Sequence, residues 1–193
     1  MNDFPNFFQH VGFNFDGPHM SFPQDQALRF LQIGVYTGDA SIYLLEKFSH
    51  IKDFVLTDVD TWSVGDSFEM NELDFYEIEK YYLDRTRNQR ELGRCKSIKT
   101  TSDLFFASNR EKFKFIYVDG NHEAIQVLKD GLNAFESLEL GGILAFDDYL
   151  GATNKHPNER PKIAIDLFLS LLIGKVEIVI NNYQLWIRKV STS

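Results

Sequence analysis

Short apolar runs alternate with stretches of helical periodicity from Ala27 to the end of the chain. Runs of Val, Ile, Leu and Phe that are bounded by polar residues are typical of buried strands. They predict strands over Leu28–Ile33, Phe54–Thr57, Ser97–Thr101, Phe113–Val118 and Ile143–Phe146. Apolar residues at three- and four-residue steps predict helices beginning near Asp39 and over Asn71–Leu92, Asp103–Arg110, Ile125–Phe135 (ended by Gly141–Gly142) and Lys162–Leu172.

The end of the chain breaks this alternation. Val176–Ile180 and Tyr183–Arg188 both have strand character, and only Asn181–Asn182 separates them. Asparagine tolerates positive φ, so this pair predicts a tight hairpin. Strands that alternate with helices predict a mostly parallel sheet with helices on both faces. We therefore expect an α/β fold in one domain, residues 1–193, whose first 26 residues form an irregular lead-in.

Composition narrows the classes of function. The chain has 193 residues, a net charge of −8 and an isoelectric point near 5.1, which argues against a nucleic-acid-binding protein. No apolar stretch is long enough to span a membrane. Cys95 is the only cysteine, which favours a reducing compartment and a cytoplasmic protein. The sequence leaves open whether the chain forms a homo-oligomer.

The segment Phe30–Asp39 carries the most informative pattern. An apolar run ends in a glycine turn with the spacing Gly34-x-x-x-Gly38, and a helical pattern follows at once. Glycine lets a backbone turn sharply or approach a ligand closely. The Gly-x-Gly-x-x-Gly spacing that seats a pyrophosphate is not present here. The loop therefore suits a nucleoside cofactor without phosphates, such as S-adenosylmethionine, or it is a plain strand-to-helix turn.

Four segments resemble the class I S-adenosylmethionine-dependent methyltransferases: Gln32–Gly38, Val59–Asp66, Ile116–His122 and Gly141–Tyr149. More narrowly, the chain is similar to the small stand-alone branch that includes sugar- and antibiotic-tailoring O-methyltransferases. The resemblance implies a doubly wound, Rossmann-like, seven-stranded sheet with a C-terminal antiparallel hairpin. It also implies methyl transfer from S-adenosylmethionine to a hydroxyl of a small, sugar-like acceptor.

The resemblance also implies a cofactor site, made of Gln32, Gly34, Tyr36, Gly38, Asp60, Thr61, Ser102, Asp103 and Asp119. Gln32 departs from the family, which usually has an acid there to help hold the cofactor's methionine end. Asp60 is expected to accept both ribose hydroxyls, with Asp58 as a rival. Trp62 packs beside the adenosine or in the core. Ser102 and Asp103 contact the adenine, cap a helix, or do both.

The resemblance places the reactive groups after the fourth and fifth strands. His122, assisted by Asp119, is a candidate base, because an imidazole titrates near neutral pH. The alternatives are that His122 caps the next helix or that a metal-bound hydroxyl serves as the base. Related enzymes have a basic aspartate where this chain has Asn121. Asp119, Asp147 and Asp148 form a candidate Mg²⁺ site, or else Asp147 and Asp148 belong to a hydrogen-bonded loop.

Two other functions are compatible with parts of this pattern. Gln32 and Asn121 favour a non-catalytic cofactor- or partner-binding module on the same fold. A nicotinamide-dependent oxidoreductase is opposed by the absent third glycine and by the terminal hairpin. A basic run over residues 85–96 is interpreted as a solvated helix face rather than a phosphate site.

Overall fold

A computed structural model describes residues 4–63 and 74–192. Its sheet contains the strands β1 (Leu28–Ile33), β2 (Phe54–Asp60), β3 (Cys95–Lys99), β4 (Phe113–Val118), β5 (Leu138–Phe146), β6 (Val176–Asn181) and β7 (Leu185–Lys189). The helices are α1 (Asp39–Lys47), α2 (Phe75–Glu91), α3 (Ser102–Ser108), α4 (Ala124–Ser137) and α5 (Pro161–Leu171). The predicted strands at β1 and β4 match the observed bounds.

The seven strands form one sheet in the order β3-β2-β1-β4-β5-β7-β6. The first five strands are parallel, whereas β7 is antiparallel to both β5 and β6. The predicted fold class is therefore confirmed. Successive side chains of a strand point to opposite faces, so each central strand contributes to two apolar layers. One layer packs against α3, α4 and α5, and the other against α1 and the N-terminal segment.

Two local predictions were wrong. Helix α4 ends at Ser137, and Gly141–Gly142 lie inside β5, where the pairing with β4 is irregular. The C-terminal hairpin exists, but its loop has three residues, Asn182–Gln184. Neither asparagine has positive φ. The side chain of Asn182 instead accepts a hydrogen bond from the backbone N–H of Gln184 at 2.9 Å.

The N-terminal segment consists of short 3-10 turns at Phe8–His10, Gly12–Asp16 and Pro18–Met20. Phe15 is fully buried against Phe115 and Trp186. Part of the predicted second helix, residues 71–73, and the motif residues 64–66 lie outside the described residues. Within the described ranges, no helix combines the length and the apolar character needed to cross a membrane.

Candidate active site

The parallel strands β1, β2, β4 and β5 all end at one edge of the sheet. Ile33 lies in register with Val59 on one side and with Val118 on the other. Val118 in turn lies in register with Phe146. The residues that follow these strands are therefore neighbours, and the edge includes the point where strand order reverses between β1 and β4. Open α/β sheets bind their ligands at such a point.

Gly34 and Gly38 are required by contacts within the protein. Gly34 has φ +81°, and a Cβ there would lie 2.0 Å from the Asp119 carbonyl oxygen. Gly38 has φ +80°, and a Cβ there would lie 2.6 Å from Cδ2 of Tyr82. The close backbone approach foreseen at Gly34 is thus made to the end of β4. Tyr36, between the two glycines, also has positive φ (53°).

Gln32 is buried behind this loop, with 2% of its surface exposed. Its Nε2 donates to the Gly34 carbonyl at 2.9 Å, and its Oε1 accepts from the Ser41 hydroxyl at 3.2 Å. A glutamate in this position would have no proton to donate to that carbonyl when ionised. Gln32 therefore shapes the loop from behind.

Asp60 holds the loop from the side of β2. Its Oδ2 accepts from the backbone N–H groups of Val35 at 2.6 Å and Tyr36 at 3.0 Å. Its Oδ1 accepts from the Trp62 N–H at 2.7 Å. The Trp62 indole donates to the Tyr36 carbonyl at 3.0 Å. Three of the roughly four acceptor positions of this carboxylate are therefore already occupied.

The rival carboxylate, Asp58, lies in the protein interior. It has no exposed surface, and its Oδ2 accepts from the Tyr82 hydroxyl at 2.9 Å. Burial raises the pKa of Asp58 to about 7, an effect that the hydrogen bond from Tyr82 partly offsets. Asp60, which is half-buried, is the carboxylate at the open edge. Trp62 is a core residue, 4% exposed and stacked on Tyr82.

Other predicted cofactor residues lie after β2 and β3. Thr61 is half-buried next to Asp60. Ser102 and Asp103 begin α3, but Thr101 is the residue that caps the helix, accepting from the Leu104 N–H at 3.3 Å. The Ser102 hydroxyl and the Asp103 carboxylate both accept from the side-chain amide of one α4 residue, Gln126. The capping interpretation of this pair was therefore wrong by one residue.

Asp119, His122 and Asp148 form a cluster beyond the ends of β4 and β5. The His122 Nε2 lies 3.0 Å from Asp148 Oδ2 and 3.9 Å from Asp119 Oδ1. One potential ligand atom from each residue lies within 4.8 Å of the other two. Such a set of two carboxylates and one imidazole has the chemistry to hold a divalent cation.

Asp147 does not join this cluster, although the sequence placed it in the metal site. Its Oδ2 accepts from the Tyr117 hydroxyl at 2.9 Å, and its Oδ1 accepts from the Gln184 amide at 2.8 Å. The two adjacent aspartates thus serve different partners. His122, predicted as a base, takes the third place in the cluster.

The electrostatics of the cluster bear on the predicted base. Partial burial lowers the pKa of His122, but the neighbouring carboxylates of Asp119 and Asp148 outweigh this and raise it to about 10. Burial and the charge of Asp147 raise the pKa of Asp119 well above its usual range. An imidazole ring that is protonated on both nitrogens cannot accept a further proton. The ion-paired arrangement therefore counts against His122 as the base.

Sequence reasoning missed several residues that build this edge. Tyr183 donates to Asp148, and Asn14 donates to Gln184 Oε1 at 2.8 Å. Tyr183 and Gln184 follow the pair Asn181–Asn182, which predicted a hairpin but gave no indication that the next two side chains reach the site. Arg85 donates to the Thr37 carbonyl at 2.9 Å and pairs with Asp39 at 2.7 Å. It was interpreted as part of a solvated face, yet it fixes the glycine loop.

Comparisons with known proteins identify the family of this chain. A family model described as a methyltransferase domain matches residues 31–149, more than half of the chain. The chain belongs to this family. The family resemblance drawn from the sequence is thereby confirmed, and the protein is an S-adenosylmethionine-dependent methyltransferase. None of the curated proteins matches this methyltransferase by sequence.

Solved structures share the fold of the methyltransferase. An O-methyltransferase from Streptomyces achromogenes involved in tomaymycin synthesis is 16% identical, with a TM-score of 0.62 over 93% of this chain and 86% of that one. An O-methyltransferase from Bacillus cereus is 14% identical, with a TM-score of 0.59 over 94% and 88%. A putative rRNA methylase from Clostridium thermocellum is 14% identical, with a TM-score of 0.68 over 95% and 97%. At these identities the likeness establishes a common fold.

Proposed function

We propose that this methyltransferase moves the methyl group of S-adenosylmethionine to a hydroxyl group of a small molecule. One observation carries the proposal: the glycine loop and the Asp119–His122–Asp148 cluster adjoin at the edge of the sheet. A Cβ on Gly34 would lie 2.0 Å from the Asp119 carbonyl, so the loop after β1 packs directly on the end of β4. A donor on the loop and an acceptor at the cluster would therefore be neighbours.

The donor side consists of the glycine loop and the residues after β2 and β3. Asp60 has one acceptor position left on Oδ1, which suits one ribose hydroxyl rather than both. Thr61 follows it on the same edge, and we assign Ser102 and Asp103 to the adenine. Gln32 acts by holding Gly34. The sulfonium donor is a cation without phosphate, which suits an edge that carries Asp60 and Asp119.

On the acceptor side, the hydroxyl oxygen forms a bond to the methyl carbon as the carbon–sulfur bond breaks. Asp119 and His122 are the groups we assign to hold the hydroxyl. Its proton passes to the Asp119 carboxylate, because the ion-paired His122 already carries a positive charge. Holding the reactants in line can contribute several kcal/mol to the rate. A divalent cation held by Asp119, His122 and Asp148 would lower the pKa of the bound hydroxyl. The metal assistance predicted from the sequence is thus kept, with His122 in the place of Asp147.

The acceptor is proposed to be a small hydroxylated molecule of the sugar or antibiotic kind. Two of the structurally similar proteins are O-methyltransferases, and one of them takes part in tomaymycin synthesis. The net charge of −8 disfavours binding of a polyanion such as RNA. A buried free thiol at Cys95 fits the reducing cytoplasm.

Calorimetry with S-adenosylhomocysteine tests the donor side. Asp60→Asn places an amide group against backbone N–H donors, so we expect the affinity to fall about tenfold or more. Asp53→Asn makes the same change at an exposed position just before β2 and should leave the affinity within about twofold. Circular dichroism would establish that both variants are folded. Wild-type protein that does not bind the compound would refute the donor site.

Methyl transfer from radiolabelled S-adenosylmethionine tests the acceptor class. We expect label in hydroxylated small molecules, either sugars or phenols, and none in ribosomal RNA. Label in RNA alone would refute the small-molecule proposal, while leaving the donor site intact.

A further inference from the structure

The cluster at the ends of β4 and β5 offers a mixed set of ligand atoms. Asp119 and Asp148 contribute carboxylate oxygens, and His122 contributes an imidazole nitrogen. Two ligands at about 2.1 Å from one ion and at right angles lie about 3 Å apart. The observed separations of His122 Nε2 from the carboxylate oxygens, 3.0 and 3.9 Å, are close to that spacing. Small side-chain movements would bring all three ligands onto one cation.

Buried hydrogen bonds hold the carboxylate of Asp147 away from the cluster. Tyr117 and Gln184, the two donors to Asp147, are both fully buried. Gln184 Oε1 also accepts from Asn14 at 2.8 Å and from the Trp186 indole at 2.9 Å, which fixes its orientation. Turning Asp147 toward the cluster would remove the acceptor of the Tyr117 hydroxyl and the nearer acceptor of the Gln184 amide, which is unfavourable for buried donors. Asp147 is therefore held outside the cluster and supplies no ligand to it.

The hairpin loop also sets the orientation of Asp148. Tyr183 donates to Asp148 Oδ1, and the Leu150 N–H donates to the Tyr183 carbonyl at 3.1 Å. Asp148 Oδ2 remains directed at His122. Hydrogen bonds that orient a ligating carboxylate in this way commonly affect metal affinity. Adjacent residues of one loop, Tyr183 and Gln184, thus keep one aspartate in the cluster and the other out of it.

We propose that the cation bound here is a transition-metal ion of the Mn²⁺-to-Zn²⁺ series, ligated by His122, Asp119 and Asp148, rather than Mg²⁺ on three carboxylates. The inference rests on the proposed function only in that the cation would serve the same acceptor hydroxyl. Mg²⁺ prefers oxygen ligands, whereas an imidazole suits Zn²⁺ and Fe²⁺. A nitrogen ligand therefore shifts the selectivity of the site.

Calorimetric titration of the full chain with Zn²⁺ and, separately, with Mg²⁺ tests this assignment. His122→Ala removes the nitrogen ligand, so we expect Zn²⁺ affinity to fall about tenfold or more while Mg²⁺ affinity changes less than about threefold. Asp148→Asn should weaken both ions. Asp147→Asn is the matched control, since it changes the neighbouring aspartate in the same way, and Zn²⁺ affinity should stay within about threefold of wild type.

Three results would overturn the proposal. Zn²⁺ affinity unchanged in His122→Ala would place the ion elsewhere, for example on another histidine. A loss of affinity in Asp147→Asn equal to that in Asp148→Asn would restore the three-carboxylate site. An absence of binding by either ion would leave the cluster as an ion pair. Binding of S-adenosylhomocysteine is measured in parallel, so that failure of the metal assignment is distinguished from failure of the donor site.

Discussion

At the scale of single residues, the polar side chains Gln32 and Asp60 form hydrogen bonds to the backbone of the glycine loop. Gln32 shows why one of them departs from the family pattern. Its strand neighbour in register is Asp58, which already carries a buried carboxyl group. An acid at position 32 would set two carboxyl groups side by side in the interior, which is unfavourable. The amide avoids that repulsion and still donates to the Gly34 carbonyl.

The glycine at the turn is expected to be indispensable. Gly34→Ala must adopt positive φ and also clash with the Asp119 backbone. Gly174→Ala is a matched control, because it has φ +80° and open space around the Cβ position. Both changes incur the left-handed cost of about 1–2 kcal/mol, and the clash should add at least about 2 kcal/mol for Gly34→Ala alone. Urea unfolding measures the difference. Equal losses would mean that the loop relaxes without cost.

Asp58 is expected to make stability depend on pH. Burial is the main cause that raises its pKa to about 7, and the charge of Asp60 contributes. The folded protein holds a proton that the unfolded chain releases above about pH 4. The contribution of Asp58 to stability is therefore full at low pH and falls as the pH rises toward 7.

Asp58→Asn keeps a neutral side chain at every pH. Its free energy of unfolding, relative to wild type, should therefore increase from pH 4 to pH 8 by up to about 4 kcal/mol. Urea unfolding at several pH values measures the trend, with the exposed Asp53→Asn as a control that keeps the wild-type slope. Parallel curves for wild type and Asp58→Asn would show that the carboxyl group is ionised throughout.

At the scale of elements, the N-terminal segment is bound to the sheet although it contains only short turns. Phe15 lies among Phe115, Tyr117 and Trp186, and the adjacent Asn14 bonds to the loop between β6 and β7. The segment is therefore joined to the hairpin loop that orients Asp147 and Asp148.

Phe15→Ala tests whether the N-terminal segment stabilises the sheet or only lies over its surface. A fully buried phenylalanine replaced by alanine costs about 3–5 kcal/mol. Phe13→Ala changes the same residue type two positions earlier, where 64% of the surface is exposed, and should cost less than about 1 kcal/mol. Thermal and urea unfolding compare the two variants. Similar small losses would mean that the segment is only loosely attached to the sheet.

At the scale of the whole molecule, the order of the strands brings the two halves of the site together. The reversal between β1 and β4 places the glycine loop against Asp119, although 85 residues separate Gly34 from Asp119 along the chain. The antiparallel β7 then lies beside β5, so the loop preceding it reaches Asp147 and Asp148. Donor, acceptor and orienting groups thus come from distant parts of the sequence.

Local patterns predicted the type and order of the elements and the family, although not the end of α4 or the length of the hairpin loop. Apolar runs such as Leu28–Ile33 predicted their strands because burial on both faces selects continuous apolar residues. The glycine spacing and the Asp147–Asp148–Tyr149 motif indicated a methyltransferase because they occur in the same order as in the family that the chain resembles. Only the tertiary structure decided which of two neighbouring aspartates joins His122. That choice depends on hydrogen bonds from Tyr117 and Gln184, and a pattern of adjacent residues contains no information about such distant partners.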